Sequence, residues 1–376
     1  MSDALLLAVS PGEVWAVLVE DGRAVELRIV RAGGVRVGQV FAGRVDGINR
    51  EMGAVFVDLG RGRPALLNAG KSLATLTEGQ AIIVEVTREA RGQKGPEVRL
   101  VQKGEPTPDT EPVLDALALF LATPPERIVV DERAAYALLR GFLERRHPHI
   151  AAALELYTGA EPLFEYEGVA GDVAGALAPS VALPRGGRII IERTEAATLI
   201  DVDGGGASAL AGNLAAAEAA ARAIRLRDIA GPIVIDFIGM KDRAARARVA
   251  DALKEGLARD PQKSDFLGWT RLGHFELVRR RARAALDEIL YERDAGGGRV
   301  KTALTVALAA LRDAARAARA EPGRGFALHA APEVVAALAD GPARAARAAL
   351  EAREGRALAL ASDASLGREA FDIRPL

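Results

Sequence analysis

Three short apolar stretches open the chain, at residues 4–9, 13–20 and 24–30, and Pro11-Gly12 and Asp21-Gly22 separate them. That punctuation predicts consecutive antiparallel strands. After Gly33-Gly34, five further short strands are expected at 38–48, 53–60, 64–68, 81–88 and 97–101, the density of a small closed barrel of the OB type. Residues 102–112, with Pro106, Pro108 and Pro112 and almost no apolar side chain, read as a linker. From there helices and strands alternate. Helical spacing at 113–122 and 134–145 brackets a β-branched strand at 127–131. Between 188 and 283 the order is strand 188–192, strand 197–203, helix 213–227, strand 232–238, helix 242–259 and two short strands near 264–267 and 275–278. This is α/β architecture. The glycine run Gly296-Gly297-Gly298 sets off an Ala/Arg-rich helical tail whose stripe of Leu304, Val306, Leu308 and Leu311 implies a small packed unit ending in a strand at 357–360. No repeat of fixed period is present.

Composition narrows the function classes. The 376 residues carry 50 Lys+Arg against 51 Asp+Glu, a net charge of -1, so any basic site is local. Cysteine is absent, which removes disulfides, thiolate zinc sites and cysteine nucleophiles and fits a reducing compartment. No apolar run reaches membrane-spanning length, and Met1-Ser2-Asp3-Ala4 lacks the basic flank of a signal peptide; the expectation is a soluble, cytoplasmic protein.

The strongest chemical constellation is a pair of acidic strands. In Thr198-Leu199-Ile200-Asp201-Val202-Asp203 the strand period puts Asp201 and Asp203 on one face and Ile200 and Val202 on the other. In Pro232-Ile233-Val234-Ile235-Asp236-Phe237-Ile238 one carboxylate stands in an apolar strand. A single helix between them makes a βαβ crossover, so the strands run parallel and the carboxylates can converge. Converging carboxylates without histidine suggest a hard ion, Mg²⁺ or Mn²⁺. The competing reading has each Asp merely end its strand and cap a turn, and the pair leaves both readings open. A second constellation is basic: Arg279-Arg280-Arg281 and Arg283, with Arg271 and Lys263 upstream, suit phosphates or a solvated face. In the barrel, Phe41, Arg44, Phe56, Arg63, Arg91 and Lys94 mix aromatic and basic residues as single-strand nucleic-acid platforms do, while Phe41 or Phe56 can equally be core. Gly204-Gly205-Gly206 lacks the spacing of a phosphate loop and reads as a turn. The four histidines, His147, His149, His274 and His329, are too scattered for a metal cluster.

Taken together, Leu183-Pro184-Arg185-Gly186-Gly187, Ile189-Ile190-Ile191-Glu192-Arg193-Thr194-Glu195-Ala196, Ile200-Asp201-Val202-Asp203, Asn213-Leu214, Arg225-Leu226-Arg227-Asp228-Ile229, Ile233-Val234-Ile235-Asp236-Phe237-Ile238 and Arg279-Arg280-Arg281 resemble the ribonuclease E/G family of bacterial endoribonucleases. The likeness runs from the first strands to Phe371-Asp372-Ile373. It implies an α+β multidomain chain: an RNase H-like subdomain (1–34 and 113–178) interrupted by an S1-type OB-fold RNA-binding barrel (35–101) and linker (102–112), a DNase I-like catalytic subdomain (179–284), a linker in place of a zinc link (285–300) and a small C-terminal domain (301–376).

The resemblance further implies that Asp201 and Asp236 hold Mg²⁺, with Mn²⁺ as an alternative, beside a scissile phosphate. Asp203 stands where the family usually has Asn, and joins them as a catalytic candidate. RNA-binding positions map to Phe56, Lys94 and Lys263, to which the basic run adds Arg279 and Arg280. Three features depart from the family. The segment before Arg127 is short and lacks the Arg-Thr-Ala pattern that senses a 5′-monophosphate; Tyr291-Glu292-Arg293-Asp294-Ala295-Gly296 replaces the cysteine zinc link; and Leu66 replaces the barrel's second aromatic. The expectation is a Mg²⁺-dependent endoribonuclease that cuts single-stranded RNA to 5′-phosphate and 3′-hydroxyl ends, without zinc, without a zinc-linked oligomer and without a membrane partner. The alternatives are a non-catalytic RNA-binding protein on the same scaffold, or an enzyme acting on another phosphodiester such as DNA.

Overall fold

The computed structural model describes residues 3–68, 75–90, 94–102, 104–107 and 111–376. Arg91 and parts of the expected linker, at 103 and 108–110, lie outside the described residues. The fold is mixed α/β with a closed five-stranded barrel.

The first sheet is assembled from two separate stretches of chain. Its order is Leu154–Leu156, Arg127–Val130, Ala4–Ser10, Glu13–Glu20, Arg23–Arg31, with the opening meander antiparallel and the two later strands parallel to the first. The run Leu5-Leu6-Leu7 is apolar throughout because both faces of this strand are buried. Leu5 and Leu7 pack with helices Pro112–Ala118 and Arg133–Arg146, and Leu6 packs with Leu226, Leu286 and Leu290 on the other side.

Between those stretches the chain forms the barrel, closed in the order Val40–Asn49, Ala54–Asp58, Ala65–Asn68, Glu97–Leu100, Ala81–Arg88. Alternation fills it with Val45, Val55, Val57, Leu67, Val84, Val86 and Val98 and turns Phe56 outward.

The third unit is a six-stranded mixed sheet, ordered Ser180–Ala182, Arg188–Arg193, Thr198–Asp203, Gly231–Asp236, Phe275–Arg279, Ser264–Trp269. Helices Ala209–Leu226 and Arg243–Gly256 cover one face. An alanine spine, Ala216, Ala217, Ala220 and Ala221, lets the first helix lie close to Ile189, Ile200, Ile233 and Ile235. The opposite face carries Leu199, Asp201, Asp203 and Asp236 exposed.

Of residues 285–300, expected as a linker, the first part is packed and 292–299 form an exposed hairpin. Helix Leu286–Leu290 sends Leu286 and Leu290 into the core, and the glycine run is the turn of a hairpin between Tyr291–Arg293 and Arg299–Lys301. There the Asp294 carboxylate accepts the N–H groups of Gly296 and Gly298 at 2.9 and 2.7 Å. The last unit is a three-stranded sheet, Ala359–Ser362, Phe326–Ala330, Phe371–Pro375, under helices Ala303–Ala320, Pro332–Ala339 and Arg344–Glu354. Its central strand does not stand out in the sequence because alanine and leucine serve helix and strand alike. No helix among the described residues is long and apolar enough to cross a membrane.

Candidate active site

The βαβ crossover sets the site. Strand Thr198–Asp203 pairs in parallel with Gly231–Asp236, and Asp201 is the direct register partner of Asp236. Neighbouring strands lie about 4.8 Å apart and paired residues share a face, so the two carboxylates leave the sheet side by side. Ile200 and Ile235, each one residue earlier, point into the helix-covered core. Both carboxylates are exposed, and among the described residues no hydrogen bond or ion pair occupies that of Asp201.

The ends of these strands are fixed from behind. Asn213, fully buried on helix Ala209–Leu226, donates through Nδ2 to the Ile238 carbonyl at 2.7 Å and accepts the Ile238 N–H through Oδ1 at 2.9 Å. Both backbone groups of the residue two beyond Asp236 are thereby held, so this side chain positions the carboxylate.

Asp203 is used differently from Asp201. Its Oδ1 accepts the Gly205 N–H at 3.1 Å and its Oδ2 lies 3.7 Å from Arg188 Nε. It shapes the Gly204-Gly205-Gly206 turn. Gly205 has φ 56°, and a Cβ there would lie 2.3 Å from the Gly186 carbonyl carbon. Two glycine loops therefore pack backbone to backbone beside the acidic strands, which accounts for the glycines in both.

One histidine joins the site. His274 Nε2 lies 3.7 Å from Asp236 Oδ1, because Ile235 pairs with Phe275 at the end of the antiparallel register and Asp236 and His274 each stand one residue beyond that pair. In the sequence His274 is one of four scattered histidines; the hairpin turn at 270–273 is the signal that places it. Among the described residues no group of three or more His, Asp or Glu converges as a metal cage.

The basic run is not one cluster. Strand Phe275–Arg279 runs antiparallel to Gly231–Asp236, with Gly231 opposite Arg279. Arg271 and His274 therefore lie at the carboxylate end, while Arg280 and Lys263, joined by a backbone hydrogen bond of 2.9 Å, lie at the other end. Five residues of strand at about 3.3 Å each put roughly 17 Å between the two ends. Lys263, which the resemblance implies near the catalytic edge, and Arg280 are both exposed but lie at the end of the sheet away from the carboxylates.

Arg279 is corrected outright: its side chain is 0% exposed and cannot reach a phosphate in solvent. Its Nε and Nη2 donate to Asp260 at 2.6 and 2.9 Å, and its Nη1 to Asp228 at 2.7 Å and to the Ile229 carbonyl at 3.1 Å. Asp228 also meets Arg283 at 3.1 Å and Arg28 at 3.8 Å. Burial pulls the Asp228 carboxyl upward, but Arg28, Arg283 and Arg279 outweigh it and hold the group well below the usual carboxylate range. The network welds the six-stranded sheet to the first.

On the barrel, Phe56 is 40% exposed. Its register neighbours are Gly47, which has no side chain to cover it, and Leu66. Lys94 is exposed just before Gly95, whose backbone abuts the Pro64 carbonyl. Phe41 is partly buried against the barrel core, with the Arg61 guanidinium 6.0 Å from its ring centre.

Fold and site thus define a multi-unit α/β protein with two strand-borne carboxylates on an open sheet face and a separate barrel bearing an outward aromatic. The sequence pattern of the Ribonuclease E/G family matches residues 97–282. Ribonuclease G of Haemophilus influenzae is 27% identical over 487 aligned positions that cover 98% of each chain. Ribonuclease G of Escherichia coli K12 is 33% identical over 262 residues, 66% of this chain and 53% of that protein. Ribonuclease E of the same organism is 34% identical over 176 residues, 44% of this chain and 17% of its own length. The chain belongs to the ribonuclease E/G family. The 487 aligned positions exceed its 376 residues, so more than a hundred of them are gaps on this side.

Proposed function

We propose that this protein is a metal-dependent endoribonuclease acting on single-stranded RNA. The observation that carries the reading is the in-register pair Asp201 and Asp236 on adjacent parallel strands of an open face. The relatives' names, Ribonuclease G and Ribonuclease E, point the same way.

The donor set fits a hard divalent ion. Two adjacent, solvent-facing carboxylates repel each other until a cation lies between them, and Mg²⁺ takes one or two protein carboxylates and leaves its other positions to water and phosphate. When bound there, Mg²⁺ or Mn²⁺ supplies Lewis-acid activation of water and neutralises charge building on the phosphoryl oxygens. The protein's own part is positioning. Asn213 fixes the Asp236 strand end, Asp203 and the glycine loops set the neighbouring turn, and Arg271, His274 and Arg188 stand at the same end of the sheet to take phosphate oxygens. In-line attack of water oxygen on phosphorus breaks the bond to the 3′ oxygen and leaves a 5′-phosphate and a 3′-hydroxyl.

In this reading the barrel is an OB-type RNA-binding module, with Phe56 as a stacking platform and Lys94 as a phosphate contact. Lys263 and Arg280 serve only a strand long enough to span the sheet. Without the Arg-Thr-Ala pattern, cutting is indifferent to the state of the 5′ end. The test is cleavage of unstructured, end-labelled RNA by wild type and by Asp236→Asn, with Mg²⁺ and with EDTA. Metal-dependent cutting by wild type alone supports the proposal; RNA binding without cutting by either overturns it.

A further inference from the structure

Behind the carboxylate edge, on the helix-covered side of the sheet, a groove of about 430 Å³ opens between helix Arg243–Gly256 and edge strand Ser264–Trp269. We infer that this groove holds one nucleotide of the bound RNA strand, its base on the Arg246/Trp269 stack and its phosphate between Arg243 and Lys254. The inference rests on the reading of the carboxylate edge as an RNA site and extends it to a subsite flanking the cut.

Four observations converge. The Arg246 guanidinium lies 5.3 Å from the Trp269 ring centre, and its Nε donates to the Met240 carbonyl at 2.8 Å, so the cation is anchored over the ring. A base can stack on a guanidinium plane as on an aromatic face. The Trp269 ring is braced edge-on by Phe275, centres 5.3 Å apart, and at a tilt by Phe237 at 5.6 Å, while its buried indole N–H has no hydrogen-bond partner among the described residues. Three cations, Arg243, Arg246 and Lys254, line the groove against one carboxylate, Asp251, which lies 3.5 Å from Lys254. The charge balance therefore favours an anion.

Continuity with the proposed cutting site supports a strand over any other anionic occupant. Trp269 pairs with Phe275, whose neighbour His274 lies 3.7 Å from Asp236, so the groove is two strands, about 10 Å, across the sheet from the carboxylates, and a strand reaches it by passing round the sheet's end onto the helix-covered face. The volume lies within the range of small-ligand sites and admits a base and its sugar. An acidic peptide would match the cations but has no base to stack over Arg246.

Trp269 reports on its own occupancy, because Trp15 is the other of two tryptophans and lies in the first sheet. In Trp15→Phe protein with EDTA present, a short unstructured oligouridylate should quench Trp269 emission at the midpoint that anisotropy of the labelled RNA gives. Arg243→Glu with Lys254→Glu, both on exposed helix positions, should keep the far-ultraviolet dichroism, weaken RNA binding about tenfold and lower the logarithmic salt slope by about 0.7, the one single-strand phosphate the groove holds. RNA that binds without changing Trp269 emission, or polyglutamate that quenches as strongly, overturns the subsite and leaves the carboxylate reading standing. Absence of RNA binding overturns both.

Discussion

Replacing Arg279 with Met separates the structural role of this arginine from the RNA contact its sequence context suggests. The substitution removes two bonds to Asp260, whose side chain is 0% exposed, and one to Asp228, which is 6% exposed. Asp228 keeps Arg283 and Arg28. Among the described residues Asp260 then keeps the Gln262 N–H at 2.9 Å as its one donor, and its charge is left buried with no counterion among them. Removing one member of a buried pair costs about 3 to 5 kcal/mol, a large share of a domain's stability. Urea unfolding at pH 7 should show that loss, and Asp260→Asn in the Arg279→Met background should recover part of it. The salt slope of RNA binding by the fraction that folds should not change. Acid should shrink the difference: Asp228 is held below its unfolded value, so its contribution is present above about pH 3.9 and disappears as the pH falls below that. An Arg279→Met protein within about 1 kcal/mol of wild type that binds RNA with a shallower salt slope would refute this reasoning and restore Arg279 as a phosphate ligand.

Further expectations follow from other parts of the molecule. Phe56→Ala should weaken single-stranded RNA binding by about 1 to 3 kcal/mol without lowering thermal stability, since the ring is half in solvent; filter binding and a melt decide it. Asn213→Ala leaves both Ile238 backbone groups without their side-chain partner, and should cost about 1 to 3 kcal/mol and lower kcat more than it raises KM. Glu89, just after the barrel strand Ala81–Arg88, accepts at 3.3 Å the N–H of Ala284, in the segment between strand Phe275–Arg279 and helix Leu286–Leu290, and is raised by burial from 4.5 to about 7 despite that bond and Arg283. A raised carboxyl favours the folded state fully below about pH 4.5 and loses that favour as the pH climbs through 7. The difference reaches about 3 kcal/mol, so Glu89→Gln should be more stable than wild type at pH 8 and flatten the pH dependence between 5 and 8. An unchanged pH profile in urea melts would contradict it.

Alternation and the βαβ order are enough to place the site's centre. One helix between two apolar strands forces a parallel pair, and strand period then assigns Asp201 and Asp236 to the face away from Ile200 and Ile235. The barrel's strands are equally legible, because their turns carry glycine and their interiors valine. The central strand Phe326–Ala330 is less so, its alanine-rich sequence matching the helices around it.

Where each charge goes is set by the three-dimensional packing. A run of arginines looks the same whether it faces solvent or a core, since burial of a guanidinium depends on carboxylates that arrive from far along the chain. Asp228 and Asp260 precede Arg279 by 51 and 19 residues, and Arg28 reaches the same network from the first sheet. Likewise His274 reaches Asp236, and Arg280 moves to the far end of the sheet, because the Phe275–Arg279 strand runs antiparallel. Local period fixes which face a residue takes; strand direction and long-range pairing decide which partner it meets, and no single segment of sequence contains that information.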